Sequence, residues 1–243
     1  MGRRKKKLSL KDKIKKHISL IIACVLFGVT VISVLTTAVI FTKINHKIVK
    51  DAKDNNTQAL LMLSLETRRG EFITKWRPIL EKRGCKAKDV GMITGTVFDE
   101  LQAQRCLRTD KKEWVTPTLV FALIELESQY DPNAYNPNAH DSGLMQIIPS
   151  TCVLIERGLS SYNSNLFDIR TNIKFGIFWL RLLEQTSFSK NHMLGTYNAG
   201  RYWNSETGKR YTQVVLTKER EIKAQLKTYY SEEDYQLLKT ISN

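Results

Sequence analysis

With 243 residues the chain has room for one or two domains, one being favoured once an apolar N-terminal run is set aside. Its balance is strongly basic, 38 Lys and Arg against 24 Asp and Glu, for a net charge of +14. The four histidines (His17, His46, His140 and His192) are scattered, and neither a His-Glu-x-x-His nor a paired Cys-x-x-Cys spacing occurs, so no metal site and no cofactor is expected.

The first element in chain order is a basic tail, residues 1–17, in which nine Lys and Arg stand against Asp12 alone. From Ile18 to Phe41 follow 24 residues without a charged side chain. At about 1.5 Å per residue a helix of that length runs roughly 36 Å, enough to cross a ~30 Å hydrocarbon core with some tilt. A cleaved signal peptide is the competing reading. Its apolar region is usually shorter, and Thr37-Ala38-Val39-Ile40 makes a poor cleavage site, so an uncleaved single-pass anchor is expected. The cations before the span place the N-terminus in the cytoplasm and the rest beyond the inner membrane, on the periplasmic or wall-facing side. Membrane lipid is then the partner of the span. A topology signal beside an anchor needs no nucleic acid, and none is expected.

Residues 42–112 read as a helical stalk, or as a collar packed on the C-terminal domain. Helix is expected from 42 to about 83, with breaks at Gly70 and at Arg83-Gly84, and again from Asp89 to Gln104. Of the cysteines beyond the span, Cys85 and Cys106 are the favoured disulfide pair with Cys152 reduced. The alternative is three inert thiols.

Residues 113–243 form the expected C-terminal domain, with a helical tail. Thr116 caps a helix and Pro117 suits its first position. The apolar run Leu119 to Ile124, with Leu126, implies burial on most sides. Asp131-Pro132 ends that helix near Gln129. A loop rich in Asn, Asp and Pro runs from Asn133 to Ser142, and Pro149-Ser150-Thr151 sits near another helix. A further helix is expected from near Asn172, carrying Ile173, Gly176, Ile177, Leu180 and Leu183. Another ends at Asn198-Ala199-Gly200, and one or two charged amphipathic helices cover Thr217 to Ile241. No alternating strand is apparent, so the fold class is mainly α.

Three ordered blocks carry the chemistry: Glu127-Ser128 at the head of Glu-Ser-Gln-Tyr-Asp-Pro-Asn-Ala, then Gly143-Leu144-Met145-Gln146, then Tyr197-Asn198-Ala199-Gly200. A lone Glu-Ser carries no information. The ordered set resembles the SLT-type (family 1) lytic transglycosylases, lysozyme-like enzymes that cut the glycan strands of peptidoglycan, over roughly Trp114 to Leu216. The residues themselves argue for an acid at Glu127. It lies in the last turn of an apolar helix, where desolvation and the negative end of the helix dipole both favour the protonated carboxyl. Glycosidic cleavage needs such a proton donor at the leaving oxygen. Glu125, roughly 200° around the helix, points elsewhere.

The resemblance implies the rest. One glutamate protonates the leaving oxygen, then takes the proton of the C6 hydroxyl of the same muramoyl sugar. Capture is intramolecular, and the product ends in 1,6-anhydro-muramic acid. Ser128 would position the glutamate or the sugar, Met145 and Gln146 would line the cleft, Tyr197 and Asn198 would contact substrate, and Tyr211 would hydrogen bond the glutamate. Asn172 and Gly176 read as scaffold, and Trp114 and Trp203 as packing. The loop before Gly143 departs from the family pattern: it carries Asn138-Ala139-His140-Asp141-Ser142 where the family usually has Gly-Ala. Two rival readings remain open. One is a water-using muramidase with Asp141 as second carboxylate, and the other a catalytically idle glycan-binding scaffold. A secretion, conjugation or phage-entry assembly would each make use of a small anchored enzyme of this kind.

Overall fold

The computed structural model describes residue 50, residues 57–104, residue 107, residues 112–159 and residues 164–230. The expected tail and membrane span, Cys106 and the last thirteen positions lie outside the described residues. Among the described residues no helix is long and apolar enough to cross a membrane. The chain divides into two units, Met1–Leu63 and Ser64–Asn243. In the first, residues 57–63 are helical and Leu60 to Leu63 are exposed.

The second unit begins with α1, residues 64–82. Phe72, Trp76, Ile79 and Leu80, spaced to share one helix face, are its buried side chains. Gly70 lies inside this helix on its exposed side, so the break expected there does not occur. A helical glycine costs about 1 kcal/mol against alanine, and burial of one large apolar side chain outweighs that. The break at Arg83-Gly84 does occur. Gly84 takes φ +100°, which lets Cys85 N–H reach back to Leu80 O at 2.9 Å.

Helix α2 (Ala87–Ala103) buries Val90, Ile93, Val97, Phe98 and Leu101, and packs chiefly on α5 (Ile169–Thr186). Cys85 is a free, buried thiol, pushed up to about 12 by burial first and then by the charges of Asp89 and Glu81. Cys85 carries no disulfide in this structure, and its expected partner Cys106 lies outside the described residues. Cys152 is also free.

Helix α3 (Pro117–Ser128) starts as its sequence predicts. The Thr116 hydroxyl accepts from Leu119 N–H at 3.3 Å, and every residue from Pro117 to Ile124 is buried. Gln129 (φ 52°) and Tyr130 (φ 63°) turn left-handed and end it. Ring centroids place Phe121 of α3 4.5 Å from Trp76 and 6.4 Å from Phe72, which lies 5.4 Å from Phe98. Residues 64–104 thus share one core with α3. They form a collar rather than a stalk, and packing does not divide at residue 112.

Beyond α3 the chain forms a small antiparallel hairpin, β1 (Tyr135–Asn136) with β2 (Asp141–Ser142), in which Asn136 faces Asp141. Two residues per strand are too few to leave an alternating pattern, so the sequence did not predict it. Helix α4 (Pro149–Leu159) comes next, then α5. The latter begins three residues before Asn172, its first turn capped by the Asp168 carboxylate on Thr171 N–H at 2.8 Å. Helix α6 (Lys190–Ala199) stops at Gly200 (φ 56°), and a short 3-10 turn leads to α7 (Glu206–Tyr229), one helix of 24 residues. Helix α7 packs on both α3 and α6. The amphipathic helix expected from Thr217 is thus the second half of a longer one that begins at Glu206.

Candidate active site

Glu127 leaves the last turn of α3 and faces a small cleft lined also by Asp141, Gln146, Ile147, Ile148, Thr151, Trp179, Tyr197 and Asn198. Three titratable groups from three different elements bear on it. The Tyr211 hydroxyl, from α7, donates to Glu127 Oε1. Tyr197, from α6, lies close enough for the glutamate's charge to act on it, and Asp141, from β2, acts on the glutamate in turn.

The protonation of Glu127 is set by these neighbours. Burial, the largest cause, favours the neutral acid. The Tyr211 hydrogen bond opposes it by stabilising the carboxylate, and the Asp141 charge reinforces it. The result is a carboxyl pushed up to about 7, so a large share carries its proton at neutral pH. Both tyrosines are held well above their ordinary value, by burial first and by the glutamate's charge second. They remain O–H donors throughout the working range.

The loop opposite the acid is built from the Gly143-Leu144-Met145-Gln146 block. Asn172, buried in the first turn of α5, fastens it with one amide. Its Oδ1 accepts from Met145 N–H at 2.7 Å, and its Nδ2 donates to Ser142 O and Leu166 O, each at 2.8 Å. Gly143 is required beside it: at φ +76° a Cβ would stand 2.2 Å from Leu166 O and 2.3 Å from Asn172 Nδ2. Gly176 gives α5 room for Met145, whose Sδ would lie 2.1 Å from an added Cβ. The Tyr197 hydroxyl donates to Met145 O at 2.8 Å, closing the loop onto α6.

Five of the expected site residues come together: Glu127, Gln146, Tyr197 and Asn198 at the cleft, with Tyr211 on the acid. Gln146, left-handed at φ 46°, is half-buried there and donates to Gly143 O at 2.7 Å. The other two stand apart. The Met145 side chain is fully buried under α5, so only its main chain serves the site. Ser128 is buried and donates to Ile124 O within its own helix at 3.0 Å. Glu125 points to the opposite side, where Arg83 and Lys218 hold it.

Trp179, Thr151, Ile147 and Ile148 line the cleft without having been singled out. Trp179 lies beside the apolar stripe of α5 rather than on it, which was the one available sign. Asp141 Oδ1 is buried at the cleft without a hydrogen-bond partner. Among the described residues no group of three His, Cys, Asp or Glu converges as metal ligands. A second depression adjoins the first through Asn198 and is lined by Leu126, Glu206, Thr207, Arg210, Tyr211 and Val214.

Residues 106–215 match the family model described as the transglycosylase SLT domain. No curated protein matches the chain. Among solved structures the chain is similar to the 70 kDa soluble lytic transglycosylase of Escherichia coli, at 21% identity and a TM-score of 0.42, over 64% of this chain and 30% of that one. An inactive mutant of the lytic transglycosylase Slt from Pseudomonas aeruginosa is similar at 20% identity and a TM-score of 0.44, over 54% and 24%. A complex of the 70 kDa soluble lytic transglycosylase with bulgecin A is similar at 22% identity and a TM-score of 0.40, over 62% and 29%. The chain spans less than a third of the length of each of these proteins.

Proposed function

We propose that this chain, whose residues 106–215 match the transglycosylase SLT domain model, is a lytic transglycosylase that cleaves the β-1,4 bond between MurNAc and GlcNAc in peptidoglycan. The observation that carries the reading is Glu127, a buried carboxyl near pH 7 in its titration, held by Tyr211 at the mouth of a polar cleft. Protonated, it donates to the leaving glycosidic oxygen. The carboxylate so formed still accepts the Tyr211 hydrogen bond. It then takes the proton of the C6 hydroxyl of the same sugar, which closes the 1,6-anhydro ring without consuming water. That hydroxyl is intramolecular, so its effective concentration far exceeds that of a free nucleophile.

Gln146, Tyr197 and Asn198 are the groups we assign to the sugar. The adjoining depression at Arg210 and Glu206 continues the path for an extended strand. On this reading the uncharged apolar run at 18–41 serves as an inner-membrane anchor, and the cations before it support a catalytic domain on the wall-facing side. A local opening for an envelope-spanning or phage-entry assembly is a use consistent with that placement.

A second reading has one observation in its favour. Asp141 brings a second carboxylate to the cleft, with an unpartnered oxygen. A muramidase would use such a group on water. The test is digestion of purified sacculi by the full chain in detergent, in water enriched in heavy oxygen. Transglycosylation gives anhydro ends lighter by one water and free of label, and Glu127→Gln abolishes them. Labelled reducing ends that vanish in Asp141→Asn would establish the muramidase instead. Binding to sacculi without release of fragments would leave a scaffold.

A further inference from the structure

The turn after α1 places an arginine against the helix that carries the acid. Arg83 is only 8% exposed in its side chain. Its Nε and Nη2 donate to the two carboxylate oxygens of Glu125, the second at 3.0 Å. The same guanidinium reaches α7: Nη2 donates to Glu221 Oε2 at 3.0 Å and Nη1 to Gln225 Oε1 at 3.2 Å. Lys218, also on α7, adds a bond to Glu125 Oε1 at 2.6 Å.

These bonds join two particular helices. Glu125 lies two residues before Glu127 on α3, and Lys218, Glu221 and Gln225 come after Tyr211 on α7. The Glu127–Tyr211 hydrogen bond spans the same pair of helices on the cleft side. The two helices pack on each other with much apolar burial, Val215 and Ile222 of α7 and Leu119 to Ile124 of α3 all being buried, and the Thr118 hydroxyl adds a longer bond to Glu219 Oε1 at 3.4 Å. Apolar contact is non-directional and leaves sliding and rotation weakly determined. A bidentate arginine–carboxylate pair fixes both distance and plane. Arg83 itself lies outside residues 106–215, so it belongs to what this chain adds to the matched segment.

We propose that Arg83 is a positioning residue for the proposed reaction, setting through Glu125 and α7 the register in which Tyr211 meets Glu127. The proposal rests on the transglycosylase reading for its activity readout only. Arg83 does not line the cleft, so its loss leaves sugar binding alone and acts on the acid. A misplacement of about 1 Å at a reacting group costs up to ~100-fold in rate.

The test is Arg83→Lys in the full chain, which keeps the charge and removes the fork. We expect kcat to fall about tenfold with KM unchanged. With the Tyr211 bond weakened, the titration of Glu127 and the alkaline limb of activity should both move to higher pH. The other groups facing Glu127, Asp141 and Tyr197, are untouched by the change. In a Tyr211→Phe background Arg83→Lys should add no further loss in kcat, since the bond it positions is already gone. Titration of the Glu127 carboxyl by NMR gives the same answer without activity.

An unmoved NMR titration, or a full additional loss of kcat in the Tyr211→Phe background, overturns the proposal and reduces Arg83 to a stability contact. A moved titration in a protein that releases no glycan fragments upholds the positioning and overturns the transglycosylase reading instead. Should Arg83→Lys fail to fold, the pair Glu221→Ala with Gln225→Ala removes the α7 acceptors of Arg83 while leaving Glu125 paired. The same measurements then decide.

Discussion

Glu127→Gln should stabilise the protein, and by an amount that depends on pH. In the folded chain this carboxyl is pushed from 4.5 up to about 7, chiefly by burial. Below pH 4.5 both folded and unfolded chains hold the proton, and the group has no effect on stability. As pH rises from 4.5 toward 7 the unfolded chain releases the proton while the folded chain keeps it. Stability must therefore fall across that window and level off above it. At about 1.4 kcal/mol per tenfold change in proton affinity, the full loss is of order 3 kcal/mol. Glutamine occupies nearly the same volume, still accepts from Tyr211 and cannot titrate. The assay is urea unfolding of the full-length protein and the variant in detergent, at pH 4 and about pH 8. Other titrating groups cancel in the difference between the two proteins. The variant should gain about 3 kcal/mol on wild type between the two conditions. A gain that changes by less than about 0.5 kcal/mol would mean that the carboxyl is not desolvated, and the account of it as a neutral acid would fail.

Two further perturbations test the site from either side. Tyr211→Phe removes a charge-assisted hydrogen bond of about 1.5–3 kcal/mol, so the alkaline limb of kcat/KM should move up by about one pH unit. Asp141→Asn removes the charge that raises Glu127, and the limb should move down; pH profiles on purified glycan strands check both, and shifts of the same sign would contradict the assignment of causes. Gly143→Ala places a Cβ at φ +76° against Leu166 O and Asn172, and should cost about 2 kcal/mol or more in denaturant unfolding. A cost below about 0.5 kcal/mol would show that the loop yields freely.

The helix that carries Glu127 was legible because its signals are local. Thr116, Pro117 and the apolar run define α3, and the position of Glu127 at its end comes from counting. Tyr211 needed the family resemblance, since the bond to Glu127 joins residues 84 positions apart. Met145 shows the limit of a motif. Its block is at the site, but its side chain turns under α5, because Gly176 leaves the space there and Asn172 takes its backbone. The hairpin was missed for want of length. The sequence left residues 64–104 open between stalk and collar for another reason. An amphipathic helix looks alike whether it covers a neighbouring domain or stands apart, and only the position of Phe121 against Trp76 and Phe72 decides.

That aromatic contact separates two objects that share a name. The family pattern begins at residue 106 and stops at 215, whereas the folded body runs from Ser64 and includes all of α7. An expression clone trimmed to the pattern would discard Phe72, Trp76, Ile79, Leu80, Val97 and Phe98, and with them the lid over Phe121. Each of those side chains contributes about 1.5–3 kcal/mol by burial. The fragment would keep the acid, the tyrosines and the loop in its sequence, yet emerge as a sticky, aggregating polypeptide. A soluble piece for crystallisation has to start before Ser64 and end after Tyr229.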